Sequence, residues 1–217
     1  MNKDNLMDGD DLDMMMEAPK LEVYKETKVS NRYRVFIDEE ICGSSYYRNV
    51  INILSSAGED DVVEFRLNTV GGQVHSAIQM LNAISSTEAR TVAIIDGLVA
   101  SAGTLFVLAC DDVIIKPLSV LMVHSPATVF GGPYGRLKDE AVFNLAYLHR
   151  ITHEIYEGFM TEDEIAAMLD ENKEFWMGED EVYNRLAKRQ KYIEQQMKEI
   201  QEKAAKPAAK RSRKNAA

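Results

Sequence analysis

The chain has 217 residues, 46% of them apolar and 28% charged, with a formal net charge of −10. That length supports one ordinary domain around a single apolar core and is too short for two large ones. No apolar run reaches the roughly 20 residues of a membrane span. The Met-rich, acidic start has no basic segment ahead of an apolar stretch, so a secretory signal is not expected and a cytoplasmic protein is.

The charge is unevenly placed. Residues 1–20 hold six acids against two lysines, and residues 188–217 hold ten bases against three acids, a net of +7. An acidic middle argues against nucleic acid as the main ligand, and only the basic end offers it a contact. Cys42 and Cys110 both sit among apolar neighbours. Two free, buried thiols in a reducing compartment are expected, and neither spacing nor neighbours suggest a metal site.

Residues 1–20 are polar and aperiodic and read as a disordered tail. The domain proper is expected over 21–187, followed by a charged helical extension and a flexible basic end over 188–217. Tyr33–Ile37 reads as a first strand. Ser44 or Ser45 is placed to cap a helix carrying Tyr47, Val50, Ile51 and Leu54 on one face. Val62–Leu67 reads as a strand, Asn68–Gly72 as a turn, and Val74, Ala77, Ile78, Leu81 and Ile84 fall at helical spacing. Thr91–Ile95 is a near-continuous apolar strand, the pattern of a strand covered on both faces. Gly97 is expected to break it, and Ser101–Cys110 reads as a helix of small and apolar residues. Val113–Ile115 and Val120–Val123 are two more strands, parted by Pro117.

Strands alternating with helices imply right-handed crossovers, hence an α/β fold with a mostly parallel sheet and flanking helices. Two prolines and three glycines between Ser125 and Gly135 make a loop. A long helix follows from about Arg136 to Gly158, and Thr161 with Glu164 forms a capping box for a shorter one. Residues 178–203 are helical by propensity, with an interrupted stripe of Val182, Leu186, Ile193, Met197 and Ile200.

Three segments share one topological position. Asn68–Gly72, Gly97–Gly103 and Leu121–Pro126 each follow a strand, and sites in parallel sheets gather at the carboxyl ends of strands. Singly, a serine at a helix start is commonly a cap, a histidine at a strand end a structural residue, and a Gly-Gly pair a turn. Together they hold the parts of an acyl-transfer site. The Ser101 hydroxyl is a weak nucleophile until a base within hydrogen-bond reach takes its proton. His124 is that base, since imidazole titrates near neutral pH. Ser101 opens a helix whose dipole favours negative charge, and its small neighbours leave room for a substrate carbonyl. The amide of Ala102 and one from the Gly71-Gly72 turn are candidates for an oxyanion hole.

These residues carry a resemblance to the ClpP family of serine peptidases, within the crotonase-like superfamily. Asn68-Thr69-Val70-Gly71-Gly72 resembles the family's Asn-Ser-Pro-Gly-Gly turn, whose first glycine supplies an oxyanion amide. Gly97–Ala102 resembles its nucleophile segment, and Met122-Val123-His124-Ser125-Pro126 its base segment. The resemblance runs from about Tyr33 to Glu181. It implies the ClpP/crotonase-like fold, serine endopeptidase activity and an orienting acid near Glu174-Phe175-Trp176-Met177-Gly178. Counting back from Trp176 favours Glu174, and Asp170 is the alternative, because aspartate is the usual type. The family likeness further implies a polypeptide substrate, a ring-shaped homo-oligomer, room for an AAA+ unfoldase partner, and no metal or organic cofactor.

Three departures are visible. Val70 stands where the family has proline, and the acid segment is about two residues long for its type. Val182–Ala187 runs into a charged helix where the family continues into a strand. The last feature is more similar to virus-encoded forms, such as those of bacteriophages. It brings capsid maturation or a scaffold contact in a host cytoplasm into the reading. Two other functions keep the same turns: an inactive structural ring, and a crotonase-type acyl-CoA enzyme that has no need of a Ser/His pair.

Overall fold

The computed structural model describes residues 29–127 and 132–205. Six strands and six α-helices alternate for most of the chain. The strands are β1 (Arg32–Ile37), β2 (Val62–Thr69), β3 (Arg90–Ala100), β4 (Asp112–Ile115), β5 (Val120–Val123) and β6 (Phe175–Met177). The helices are α1 (Arg48–Ser56), α2 (Val74–Ser86), α3 (Thr104–Ala109), α4 (Tyr134–Tyr156), α5 (Glu162–Glu171) and α6 (Glu179–Ala205). The sheet runs β1-β2-β3-β5-β6, with β4 beside β3, and every pair is parallel except β5–β6. The expected α/β fold with a mostly parallel sheet is therefore the one observed.

The apolar residues that the sequence places at period two and period 3.6 meet in one core. Val63, Phe65 and Leu67 of β2, Ala93, Ile95 and Val99 of β3, and Leu121 and Val123 of β5 are buried there with Leu54, Ala77, Met80 and Phe106 from the helices. Each large side chain so buried contributes about 1.5–3 kcal/mol relative to exposure. The opposite face of β1–β3 carries ion pairs: Arg32 and Arg34 both reach Glu64, and Arg66 holds Asp96 at 2.7 Å. Glu64 is itself buried beneath its two more exposed arginines.

Three local expectations are corrected. Gly97 does not break β3. The strand continues through it and changes partner, pairing β4 over Val92–Ile95 and β5 over Leu98–Ala100. The glycine is required by its neighbour across the sheet, because a Cβ there would lie 2.6 Å from Asn68 Oδ1. That oxygen accepts the Leu98 amide at 3.1 Å, beside a register shift between Leu67 and Thr69. Asn68 and Thr69 consequently belong to β2 rather than to a turn.

Ser44 and Ser45 are not helix caps. They open a short 3₁₀ turn (Ser44–Tyr47) ahead of α1, and Ser44 Oγ instead meets Ser76 Oγ of α2 at 3.2 Å.

The Thr161–Glu164 capping box forms with both of its hydrogen bonds. Glu164 then serves twice. Its carboxylate takes a two-pronged contact from Arg185 of α6, at 2.8 and 2.7 Å. These donors hold the Glu164 carboxyl down to about 2.

Helix α6 runs unbroken from Glu179 to Ala205, across residue 187. Its start is sewn to the body. Val182 is buried, Tyr183 Oη accepts the Ile115 amide at 3.1 Å, and the Tyr192 ring lies where a Cβ on Gly158 would be, at 2.8 Å. Further along, Ile193, Met197 and Ile200 are exposed. Among the described residues no helix is long and apolar enough to cross a membrane. Cys42 and Cys110 are free thiols, each only partly exposed, and burial pushes the Cys110 thiol up to about 12. The disordered reading of residues 1–20, residues 128–131 of the expected loop, and the basic end past Ala205 lie outside the described residues.

Candidate active site

A single rung of the sheet organises the site. Thr69 pairs with Val99, Val99 with Leu121, and Leu121 with Met177, across β2, β3, β5 and β6. Just beyond that rung each chain leaves the sheet, and each exit carries one of the residues singled out in the sequence. Gly71 follows Thr69, Ser101 follows Val99 at the same interval, and His124 follows the end of β5. Because β6 is antiparallel to β5, its partner position precedes the rung. The pairing ends at Val123–Phe175, so Glu174 immediately precedes β6 at the end where His124 follows β5.

Ser101 sits on a sharp elbow. The chain is extended at Ala100, turns to φ +54° at Ser101, and enters a 3₁₀ turn (Ser101–Gly103) that leads into α3. A left-handed conformation at a residue with a Cβ costs about 1–2 kcal/mol, and such strain persists only where the surroundings hold it. Here they do. Gly71, at φ +94°, packs so closely that a Cβ on it would come within 2.7 Å of both Ala100 O and Ser101 Cβ, and within 3.1 Å of Ala102 N. Glycine is needed at 71 for the backbone angle and for the approach. On the other side, Gly103 leaves room for Thr69 Cγ2, which would lie 2.7 Å from an added Cβ. The dipole expected at Ser101 is weak in this setting, because α3 is only six residues long.

Ser101, Ala102 and His124 line one cleft with Val74, Leu105 and Ile155. The amide of Ala102 lies at the start of the helical turn, where N–H groups have no partner within the helix. The Gly71 amide is differently placed. It donates to Thr69 Oγ1 at 3.1 Å, and Thr69 Oγ1 in turn donates to Glu39 O at 2.6 Å.

The two candidate acids stand apart. Glu174 Oε2 accepts the Trp176 indole N–H at 3.1 Å, and its side chain is exposed. Asp170 is exposed near the end of α5, which stops at Asn172 in the left-handed region, φ +56°. Its neighbour Leu169 shares a second apolar cleft with Ser125 and Pro126, so the end of α5 also lies near the His124 turn.

Sequence reasoning passed over Thr69, Thr104 and Tyr156. Thr69 carried a signal, since it lies inside the recognisable turn. Thr104 and Tyr156 carried none: they are 52 residues apart, and only the fold brings their hydroxyls to 2.6 Å. No cluster of metal-ligating side chains occurs among the described residues.

An elbow serine with a glycine turn pressed against it and a histidine at the adjacent strand exit thus share one cleft of an α/β fold. The family model described as Clp protease matches residues 20–185, and the chain belongs to that family. Among solved structures, a ClpP1 variant from Listeria monocytogenes superposes with a TM-score of 0.59 at 23% identity, over 70% of this chain and 86% of that one. The fold is thus that of ClpP. No curated protein matches the sequence.

Proposed function

We propose that the chain is a serine endopeptidase subunit in which Ser101 is the nucleophile and His124 its general base. The observation that carries this is the shared rung, which brings Gly71, Ser101 and His124 out of neighbouring strands at one edge of the sheet. His124 takes the hydroxyl proton as Ser101 Oγ adds to a peptide carbonyl, then returns it to the departing amine. Water hydrolyses the resulting acyl-enzyme by the reverse relay. The Ala102 amide receives the oxyanion. The Gly71 amide joins it by exchanging its neutral Thr69 acceptor for a charged one, an exchange favoured because hydrogen bonds to ionised groups are the stronger kind.

For the third member Glu174 is favoured, since it immediately precedes β6 at the end where His124 follows β5. To orient the imidazole, its carboxylate must turn from Trp176, which costs a single exposed hydrogen bond. Asp170 is the second reading, supported by the cleft that Leu169 shares with Ser125 and Pro126.

Membership of the Clp protease family supports a polypeptide substrate and a ring of identical subunits, with an unfoldase as a partner class. The charged helix α6, in place of a closing strand, supports a virus-encoded form acting in capsid maturation. A Ser/His pair at adjacent strand exits has no use in acyl-CoA chemistry, and an inactive ring has no use for a strained Ser101.

The test is covalent labelling of the full-length protein by a fluorophosphonate probe. Labelling that vanishes in Ser101→Ala and falls steeply in His124→Ala supports the peptidase. An assembled wild type that takes no label removes it in favour of the structural ring.

A further inference from the structure

The peptide unit joining Ser101 to Ala102 carries two functions at once. Its N–H is the proposed oxyanion donor, and its C=O belongs to the nucleophile's own residue. A trans peptide is planar, so the direction of one group determines that of the other. Whatever grips Ser101 O therefore aims the Ala102 N–H.

That grip is made by a buried pair of hydroxyls. Thr104 Oγ1 donates to Ser101 O at 2.7 Å, and the Thr104 backbone N–H reaches the same oxygen. A threonine bonding back three residues is common in a first helical turn. What sets this one apart is its second partner. Thr104 is fully buried, and Tyr156 Oη from the end of α4 lies 2.6 Å from its hydroxyl. A threonine hydroxyl has one proton to give. Since Ser101 O receives it, the Tyr156 hydroxyl is the donor to Thr104 Oγ1. Burial pushes the Tyr156 phenol up to about 12, so it keeps that proton across the working pH range.

Tyr156 is held from beyond the family-matched segment. Arg189 of α6 donates to the carbonyls of Ile155 and Glu157, at 2.6 and 2.9 Å, on either side of it. Residue 189 lies past the end of the match at 185. The long C-terminal helix thus braces α4, α4 presents Tyr156, and Tyr156 sets the proton order at Thr104.

We infer that Thr104 and Tyr156 are positioning residues that lock the Ser101–Ala102 peptide plane and so pre-aim the oxyanion amide, with α6 as their support. The inference rests on Ser101 being the nucleophile. It assigns neither residue any contact with substrate.

The experiment compares Thr104→Val, Thr104→Ser and Tyr156→Phe in the full-length protein. The maximal rate of fluorophosphonate labelling is separated from probe affinity by varying probe concentration. Loss of one aimed oxyanion donor costs about 10²–10³ in rate, and partial misalignment should cost about 10–10². Thr104→Val is expected to lose that much in maximal rate at unchanged probe affinity. Thr104→Ser, which keeps the hydroxyl, is expected within about twofold of wild type, with Tyr156→Phe between the two. Wild-type rates in Thr104→Val overturn the inference. An equal fall in Thr104→Ser does so too, because it would point to the lost methyl rather than the hydroxyl. If Thr104→Val does not fold, Tyr156→Phe decides alone by the same rate criterion.

Amide hydrogen exchange over residues 99–105 separates failure of the peptidase reading from failure of this one. A wild type that takes no label removes the peptidase reading. Exchange at Ala102 that is faster in the variants still supports the locked peptide plane, and exchange equal to wild type overturns it.

Discussion

The elbow at Ser101 and the segment that carries the two candidate acids are built to different standards. At the elbow, Gly71 packs against Ser101 and Gly103 against Thr69, each so closely that one added carbon would collide. Its carbonyl is tied to Thr104 and, through it, to α4. On the acid side, Glu174 and Asp170 are both exposed, and the single hydrogen bond of Glu174 goes to an exposed tryptophan. Strain at Ser101 must be offset by surrounding contacts, so the elbow backbone is packed tightly even though the serine faces a cleft. An orienting acid needs only reach and charge, so a solvated loop suffices until the imidazole draws it in. The comparison teaches where tolerance to mutation lies: low around the elbow backbone, high along the acid loop except at one carboxylate.

The largest effect should come from the elbow. Ser101→Ala is expected to abolish probe labelling and reduce peptide hydrolysis by roughly 10⁴–10⁶, with the melting temperature little changed. A residual rate near wild type would show that another group does the chemistry.

Next comes the acid pair. Glu174→Gln and Asp170→Asn should differ sharply in kcat, one falling by about 10²–10⁴ and the other staying within about threefold. The place of Glu174 just ahead of β6 predicts that it is the one that falls, and equal, small losses would mean that the site works as a dyad.

Gly71→Ala tests the packing side. It places a Cβ against Ala100 O and Ser101 at an unfavourable φ. It should cost about 1–3 kcal/mol in denaturant unfolding along with most activity, while Gly178→Ala, which meets open space, should cost neither.

The smallest effect is expected far from the site, at the Glu164–Arg185 contact. The folded carboxyl of Glu164 is held below its unfolded value of 4.5, at about 2. Its contribution is therefore complete above the unfolded value and lost as pH falls through the folded one. Glu164→Gln should lower the melting temperature by about 2–4 °C at pH 7. It should also flatten the decline of stability between pH 4.5 and 2. A curve parallel to wild type through that window would show that the contact contributes nothing.

Much of this was legible in the chain itself. Strand and helix order, the parallel sheet and the capping box at Thr161 follow from period and residue type, because each is a local pattern. The turns that carry Ser101 and His124 were legible because their neighbours in the chain announce them. Gly97 was misread, since a glycine inside an apolar run looks the same whether it breaks a strand or makes way for Asn68. The acid stayed open because no local pattern marks it, and its place depends on how β6 returns antiparallel to β5.

By itself, then, the sequence determined the order of the elements, the buried faces and the turns that carry Ser101 and His124, all properties of residues near one another in the chain. Only the tertiary structure decided the rung that brings Gly71, Ser101, His124 and Glu174 to one edge, and the meeting of Thr104 with Tyr156. Those depend on strand register and helix docking between segments 22 to 56 residues apart, which are set by packing of the whole core. A hydrogen bond between distant hydroxyls leaves no periodic mark in the chain, and it forms only after the core has closed around it.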